Sequence, residues 1–100
     1  MSDKEFEGKS VLITGGAGGF GAACSLALAE RGAAVTLTDI NETAGAQAAK
    51  AITDSGGQAR FMVHDVTDDA SWGKAVELAL SEFGGLDIVI NNAGIEISQL

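Results

Sequence analysis

The sequence predicts an α/β domain: a parallel β-sheet with helices packed on both faces. Three observations carry this. Short apolar runs alternate with helix-length segments, strand then helix three times and then a fourth strand, an order that requires right-handed crossovers and a parallel sheet. The strand runs are apolar on both faces, as they are where helices cover both sides. The first strand also runs straight into five glycines within the seven residues 15–21, where the chain turns into its first helix.

In chain order, residues 10–14 (SVLIT) read as a buried strand. Residues 19–31 read as a helix with Phe20, Cys24, Ala27 and Leu28 on its inward face, and Gly32 ends it, a common place for glycine. Residues 34–39 (AVTLTD) form the second strand. Asn41 or Thr43 caps a second helix that runs to about Asp54 with Ala44, Ala48, Ala51 and Ile52 inward. Gly56 and Gly57 mark the next turn, and residues 59–63 (ARFMV) form the third strand. Asp68 or Asp69 caps a third helix, whose stripe is Trp72, Val76, Ala79, Leu80 and Phe83. After Gly84 and Gly85, residues 86–90 (LDIVI) form the fourth strand, followed by Asn91, Asn92, Ala93 and Gly94. Residues 95–100 are too few to assign. With no repeat, linker or low-complexity tract, residues 1–100 read as one domain or part of one.

Composition narrows the function. Hydrophobic residues make up 46% and charged residues 20%, the balance of a globular domain. The formal net charge of −8 excludes nucleic acid as a partner, because no basic surface exists to neutralise phosphates. No apolar run reaches the length of a membrane span. The polar N-terminus, MSDKEFEGKS, does not read as a signal peptide. The single cysteine, Cys24, fits a reducing compartment, so the expected location is the cytoplasm.

An anion bound by so acidic a chain must be held by backbone dipoles. A glycine loop between strand and helix supplies them. One glycine permits the turn, one lets a ligand approach the backbone, and one lets the helix pack close to the sheet. The amides at the helix start then face the anion, helped by the helix dipole. Alone, such a loop could equally be a mere turn. Asp39 tips the balance: it ends the second strand 18 residues after Gly21, near the spacing of a carboxylate that binds an adenosine ribose. The reading is dinucleotide binding, with NAD preferred over NADP. A carboxylate repels a 2′-phosphate, no basic residue lies in the loop, and Ile40 and Asn41 are neutral.

Here the sequence resembles the short-chain dehydrogenase/reductase family. Residues 14–21 match Thr-Gly-x-x-x-Gly-x-Gly. Gly18 makes them fit Thr-Gly-x-x-Gly-x-x-Gly as well, the pattern of the extended branch that includes sugar epimerases. Asp65-Val66 after the third strand and Asn91-Asn92-Ala93-Gly94 after the fourth match the single-domain branch. The resemblance covers the chain from about Phe6 onward. It implies a Rossmann fold, NAD as cofactor, and hydride transfer between secondary alcohols and ketones, with a homo-oligomer for the full-length enzyme. By position it assigns Gly15, Gly18, Gly19 and Phe20 to the pyrophosphate, Phe20 chiefly through its N–H, and counts Gly21 among the cofactor-binding residues. Asp39 is assigned to the ribose, Ile40 and Val66 to the faces of the adenine, and Asp65 to its amino group. Asn92, Ala93 and Gly94 pass near the nicotinamide ribose, while Asn91 braces the sheet.

Other residues take structural readings. His64 is a strand-end residue, Trp72 is packing, and Cys24 is an inert inward thiol. Glu96 and Ser98 stand where the family's substrate pocket begins, and a loop role fits them equally. No metal-ligating constellation is present. The family's serine and Tyr-x-x-x-Lys pair, which handle the alcohol proton, are not found, and the chain has no tyrosine. No catalytic residue is therefore assigned, and the 100 residues alone are expected to be inactive. The expectation is the N-terminal, cofactor-binding portion of a longer NAD-dependent dehydrogenase. The alternatives are a non-catalytic NAD-binding or interaction half-domain, and another Rossmann protein such as a methyltransferase. The outer edge of the fourth strand is expected to lie open, inviting pairing or aggregation.

Overall fold

The computed structural model describes residues 4–65, 67–92 and 96–99. Its elements are β1 (Ser10–Thr14), α1 (Gly19–Glu30), β2 (Ala34–Asp39), α2 (Glu42–Asp54), β3 (Gln58–Val63), α3 (Asp69–Phe83), β4 (Ile88–Asn91) and β5 (Glu96–Gln99). The sheet order is β3-β2-β1-β4-β5, with the first four strands parallel. The chain steps outward from β1 to β2 and β3, then crosses back to lay β4 on the other side of β1. Beyond the carboxyl ends of β1 and β4 the connections diverge, which is where such sheets open a ligand crevice.

β1 and β2 form the middle of the sheet, and Val11, Leu12, Ile13, Val35 and Leu37 are wholly buried. Val11, Ile13, Val35 and Leu37 share one core with Ala29 of α1 and Ile52 of α2, and these two helices pack against each other. The opposite face of β1 and β2 is covered by α3. Asn41 caps α2, its Oδ1 accepting from Ala44 N–H at 3.0 Å. Asp68 caps α3, accepting from Ala70 N–H at 2.9 Å.

The inward helix faces agree with the periodicity at Ile52 of α2 and Ala79 of α3, which are buried as predicted, and differ from it at other positions. In α1 the buried residues are Gly21, Ser25 and Ala29. Phe20 is 68% exposed, Ala27 is exposed, and Cys24 and Leu28 are half-buried. This helix is small and apolar on nearly every side, so hydrophobicity gives it no direction; the close approach of Gly21 to the sheet sets it instead. α2 buries Gly45 and Ile52 and leaves Ala51 exposed, because a Cβ on Gly45 would stand 1.9 Å from the Phe61 ring. α3 buries Ala75 and Ala79, with Trp72, Val76 and Phe83 half-buried and Leu80 48% exposed. In α1 and α3 the smallest residues meet the sheet and the larger ones flank them, whereas α2 buries Ile52 as well as Gly45.

Two further expectations are corrected at β4. The strand starts at Ile88 rather than Leu86, because the Asp87 side chain takes the Ser10 N–H at 2.8 Å while the Asp87 N–H donates to Ser10 C=O at 2.9 Å. Its outer edge is not open. β5 pairs antiparallel with it, from Ile88↔Gln99 to Asn91↔Glu96. A row of unpaired backbone groups on an apolar strand accepts any extended segment within reach, and the chain that follows supplies one.

Candidate cofactor site

The site is assembled where β1, β2 and β4 end side by side. Gly15 leaves β1 with φ of 67°, a left-handed conformation that side chains rarely adopt. The Gly16 N–H then donates to Thr38 C=O at 2.9 Å. The Ala17 N–H donates to the Asp39 carboxylate at 3.1 Å. Asp39 thus sits against the glycine loop, as its spacing in the sequence predicts. Its other oxygen accepts from Asn41 N–H at 2.9 Å, and each oxygen keeps room for a further donor.

The loop then turns under the start of α1. A Cβ on Gly21 would lie 2.0 Å from Gly15 C=O oxygen and 3.0 Å from the Asn92 amide, so only glycine fits. Asn92 closes the arrangement from β4, its Nδ2 donating to Gly15 C=O at 3.1 Å. Next to it, the Thr14 hydroxyl donates to Asn91 Oδ1 at 2.8 Å, the sheet-bracing role expected of Asn91. One loop is therefore held by β1, β2 and β4 together.

Gly18 caps α1 with no side-chain hydrogen bond, and the first turn carries no acidic residue. A Cβ on Gly19 would meet nothing within 4 Å, and one on Gly18 only the Gly15 carbonyl at 4.0 Å. Uncapped amides on a helix N-terminus, with glycine keeping the approach clear, fit a pyrophosphate. Ile40, 72% exposed, and Phe20, 68% exposed, stand at the site as large apolar side chains open to solvent. Ile40 follows Asp39 directly, where it could lie against a flat apolar ring.

Asp65 follows the end of β3. Its Oδ1 accepts from both the Thr67 N–H at 2.9 Å and the Thr67 hydroxyl at 2.6 Å, and these bonds hold its carboxyl below the ordinary value. Asp65 is exposed, so Oδ2 remains available to a ligand donor. Val66, Ala93 and Gly94 lie outside the described residues. Among the described residues no group of three or more His, Cys, Asp and Glu could hold a metal ion, and no helix is long and apolar enough to cross a membrane. Cys24 is half-buried, and burial raises its thiol pKa, which keeps it in the unreactive thiol form.

Sequence reasoning missed the layer beneath Asp39. His64, only 2% exposed, donates its N–H to Asp39 C=O at 3.1 Å. Its ring Nδ1 lies 2.9 Å from the Thr38 hydroxyl, and the ring meets Trp72 edge-on at 4.7 Å between centroids. No spacing in the sequence signals this cluster, because its members come from three separate elements.

Burial lowers the His64 pKa below its ordinary 6.5, against a smaller opposing pull from Asp65 and Asp68. A histidine with a depressed folded pKa contributes stability that is present above 6.5 and is lost as pH falls through the folded value. Unfolding by denaturant at pH 7.5, 6.5 and 5.5 should show the protein weakening toward acid, with a flatter slope in His64→Asn. Equal slopes in the two proteins would mean that the ring carries its charge in the fold at no cost.

Comparison with known proteins adds to this geometry. The family profile described as short chain dehydrogenase matches residues 9–100. A 2,5-dichloro-2,5-cyclohexadiene-1,4-diol dehydrogenase of Sphingobium indicum is 48% identical over 88 residues, covering 88% of this chain and 35% of its own. A cyclopentanol dehydrogenase of a Comamonas species is 47% identical over 87 residues, covering 87% of this chain and 35% of its own. The crystal structure of a hydroxysteroid dehydrogenase from Escherichia coli superposes with a TM-score of 0.83 at 32% identity, over 86% of this chain and 37% of that one. The chain thus spans about a third of the length of the curated relatives it matches.

Proposed function

This chain belongs to the short-chain dehydrogenase family, and on that premise we propose that it is the cofactor-binding part of an NAD-dependent oxidoreductase. The reaction is the interconversion of a secondary alcohol and a ketone by hydride transfer. The domain is residues 1–100, the N-terminal portion of a longer single-domain enzyme of the cytoplasm. The observation that carries the reading is the glycine loop held at once to Asp39 by the Ala17 amide and to Asn92 by the Gly15 carbonyl. Those contacts bring the glycine loop and the Asp39 carboxylate together beyond the carboxyl ends of the strands, which supports the reading because this fold takes a dinucleotide there.

In this reading the amides of Gly15, Gly18, Gly19 and Phe20 hold the pyrophosphate without any cation, as a chain of net charge −8 requires, while Gly21 lets α1 pack close beneath the cofactor loop. Asp39 accepts from the adenosine ribose hydroxyls. Ile40 and Val66 flank the adenine, and Asp65 accepts from its amino group. Asn92, Ala93 and Gly94 border the nicotinamide ribose. When bound, the cofactor would exchange the hydride, taking it from the alcohol carbon as NAD or returning it to the carbonyl as NADH. These residues bind and orient it, and none of them protonates a carbonyl. Two of the similar proteins are named for ring alcohols, which supports an alicyclic secondary alcohol as the substrate class.

The test is calorimetric titration of the whole protein with NAD, NADP and S-adenosylmethionine. The reading requires NAD to bind more tightly than NADP, with no binding of S-adenosylmethionine. Preference for S-adenosylmethionine would turn the chain into a methyltransferase part. The 100-residue chain alone should show no turnover of any alcohol; measurable turnover would place the proton-handling groups within these residues.

A further inference from the structure

The cluster beneath the adenosine end has no role in the binding scheme above. The ladder between β2 and β3 ends with the bond from His64 N–H to Asp39 C=O. Asp65 comes one residue later, past the last ladder bond, and its hydrogen bonds stay within its own turn: its carboxylate accepts from the Thr67 N–H and hydroxyl and its carbonyl from the Asp68 N–H. The side chain before it ties this turn to β2 and α3. The His64 ring is clamped between the Thr38 hydroxyl on β2 and the Trp72 ring on α3, and its Nε2 is buried with no hydrogen-bond partner among the described residues. An unpartnered buried ring nitrogen costs free energy, whereas an apolar side chain of similar size would fill the space without that cost. The imidazole is therefore retained for the bond it does make, and that bond joins Thr38, next to Asp39, to His64, next to Asp65.

We propose that His64 is a positioning residue for the adenosine end of the site, its buried imidazole holding Asp39 and Asp65 in fixed mutual placement through Thr38. This rests on the dinucleotide reading. A ligand that engages both carboxylates gains from having them placed beforehand, because the ordering cost is not charged to binding. His64 touches no ligand itself.

The experiment uses the whole protein with ADP-ribose as the probe of the adenosine end and nicotinamide mononucleotide as the probe of the other. The variants are His64→Asn, His64→Gln and Thr38→Val. Asparagine sets its amide where Nδ1 stands and keeps the partner on Thr38. Glutamine sets its amide where Nε2 stands and loses that partner. His64→Gln and Thr38→Val should weaken ADP-ribose about tenfold, the effect of roughly one lost hydrogen bond, with nicotinamide mononucleotide unchanged. His64→Asn should restore the affinity for ADP-ribose to near that of the parent. If the glutamine and valine variants lose stability yet hold ADP-ribose as tightly as the parent, His64 is core packing and the inference fails. If the histidine variants do not fold, Thr38→Val decides alone. A parent protein that does not bind ADP-ribose would sink the dinucleotide reading, and this inference with it.

Discussion

Gly21→Ala should abolish measurable NAD binding, with a loss of at least ~100-fold, and destabilise the fold by about 1–3 kcal/mol, the usual cost of overpacking. The added Cβ would stand 2.0 Å from the Gly15 carbonyl oxygen and 2.8 Å from its carbon. Both are backbone atoms, so no side chain can swing away to make room. Either α1 lifts from the sheet or the loop leaves its place. Each movement breaks the bond from Asn92 to Gly15 and turns the helix-start amides away from the place proposed for the phosphates. Denaturant unfolding and NAD titration of the same preparation separate the two effects. A folded Gly21→Ala protein with parental NAD affinity would show that the loop does not need its observed geometry to hold the cofactor. Gly19→Ala is the matching control. Its Cβ would meet nothing within 4 Å, so any loss there reports obstruction of the ligand rather than damage to the fold.

The second large effect is expected at Asp39. Asp39→Ala should weaken NAD by about 10- to 100-fold, the range for losing a hydrogen bond to a charged group. NADP should change less or improve, because a carboxylate that repels the 2′-phosphate is removed. The NAD/NADP affinity ratio should therefore narrow. The substitution also deprives the Ala17 and Asn41 amides of their acceptor, so part of the loss comes through the loop. Asp39→Asn separates these contributions, since its side-chain oxygen can still accept while the charge is gone. Asparagine should retain more NAD affinity than alanine and lose most of the discrimination against NADP. An unchanged ratio in both variants would remove Asp39 from the ribose site.

Much of this arrangement is legible in the sequence. The three strand–helix units are written as apolar runs separated by turn residues, and the caps Asn41 and Asp68 fall within the pairs predicted for them. The glycine loop and Asp39 are also legible, because local rules govern them: a glycine has no Cβ, and a strand end followed by a helix start has a known direction. The helix faces are not legible in this way. The segment GFGAACSLALAE of α1 is apolar or small at nearly every position, so a hydrophobic stripe drawn on it picks Phe20 when the backbone contact at Gly21 is what faces inward.

The chain order, the parallel sheet and the meeting of residues 15–21 with Asp39 follow from short-range pattern and the handedness of crossovers, and are set before any long-range contact is known. What depends on packing in three dimensions is the set of bonds between residues far apart in the chain: Asn92 to Gly15, Thr14 to Asn91, and His64 to Thr38. The same holds for β5 on the edge of β4. Side-chain donors such as these, and an unpaired strand edge, find partners by proximity rather than by spacing. Nothing in the one-dimensional pattern distinguishes the partner chosen from the others on offer.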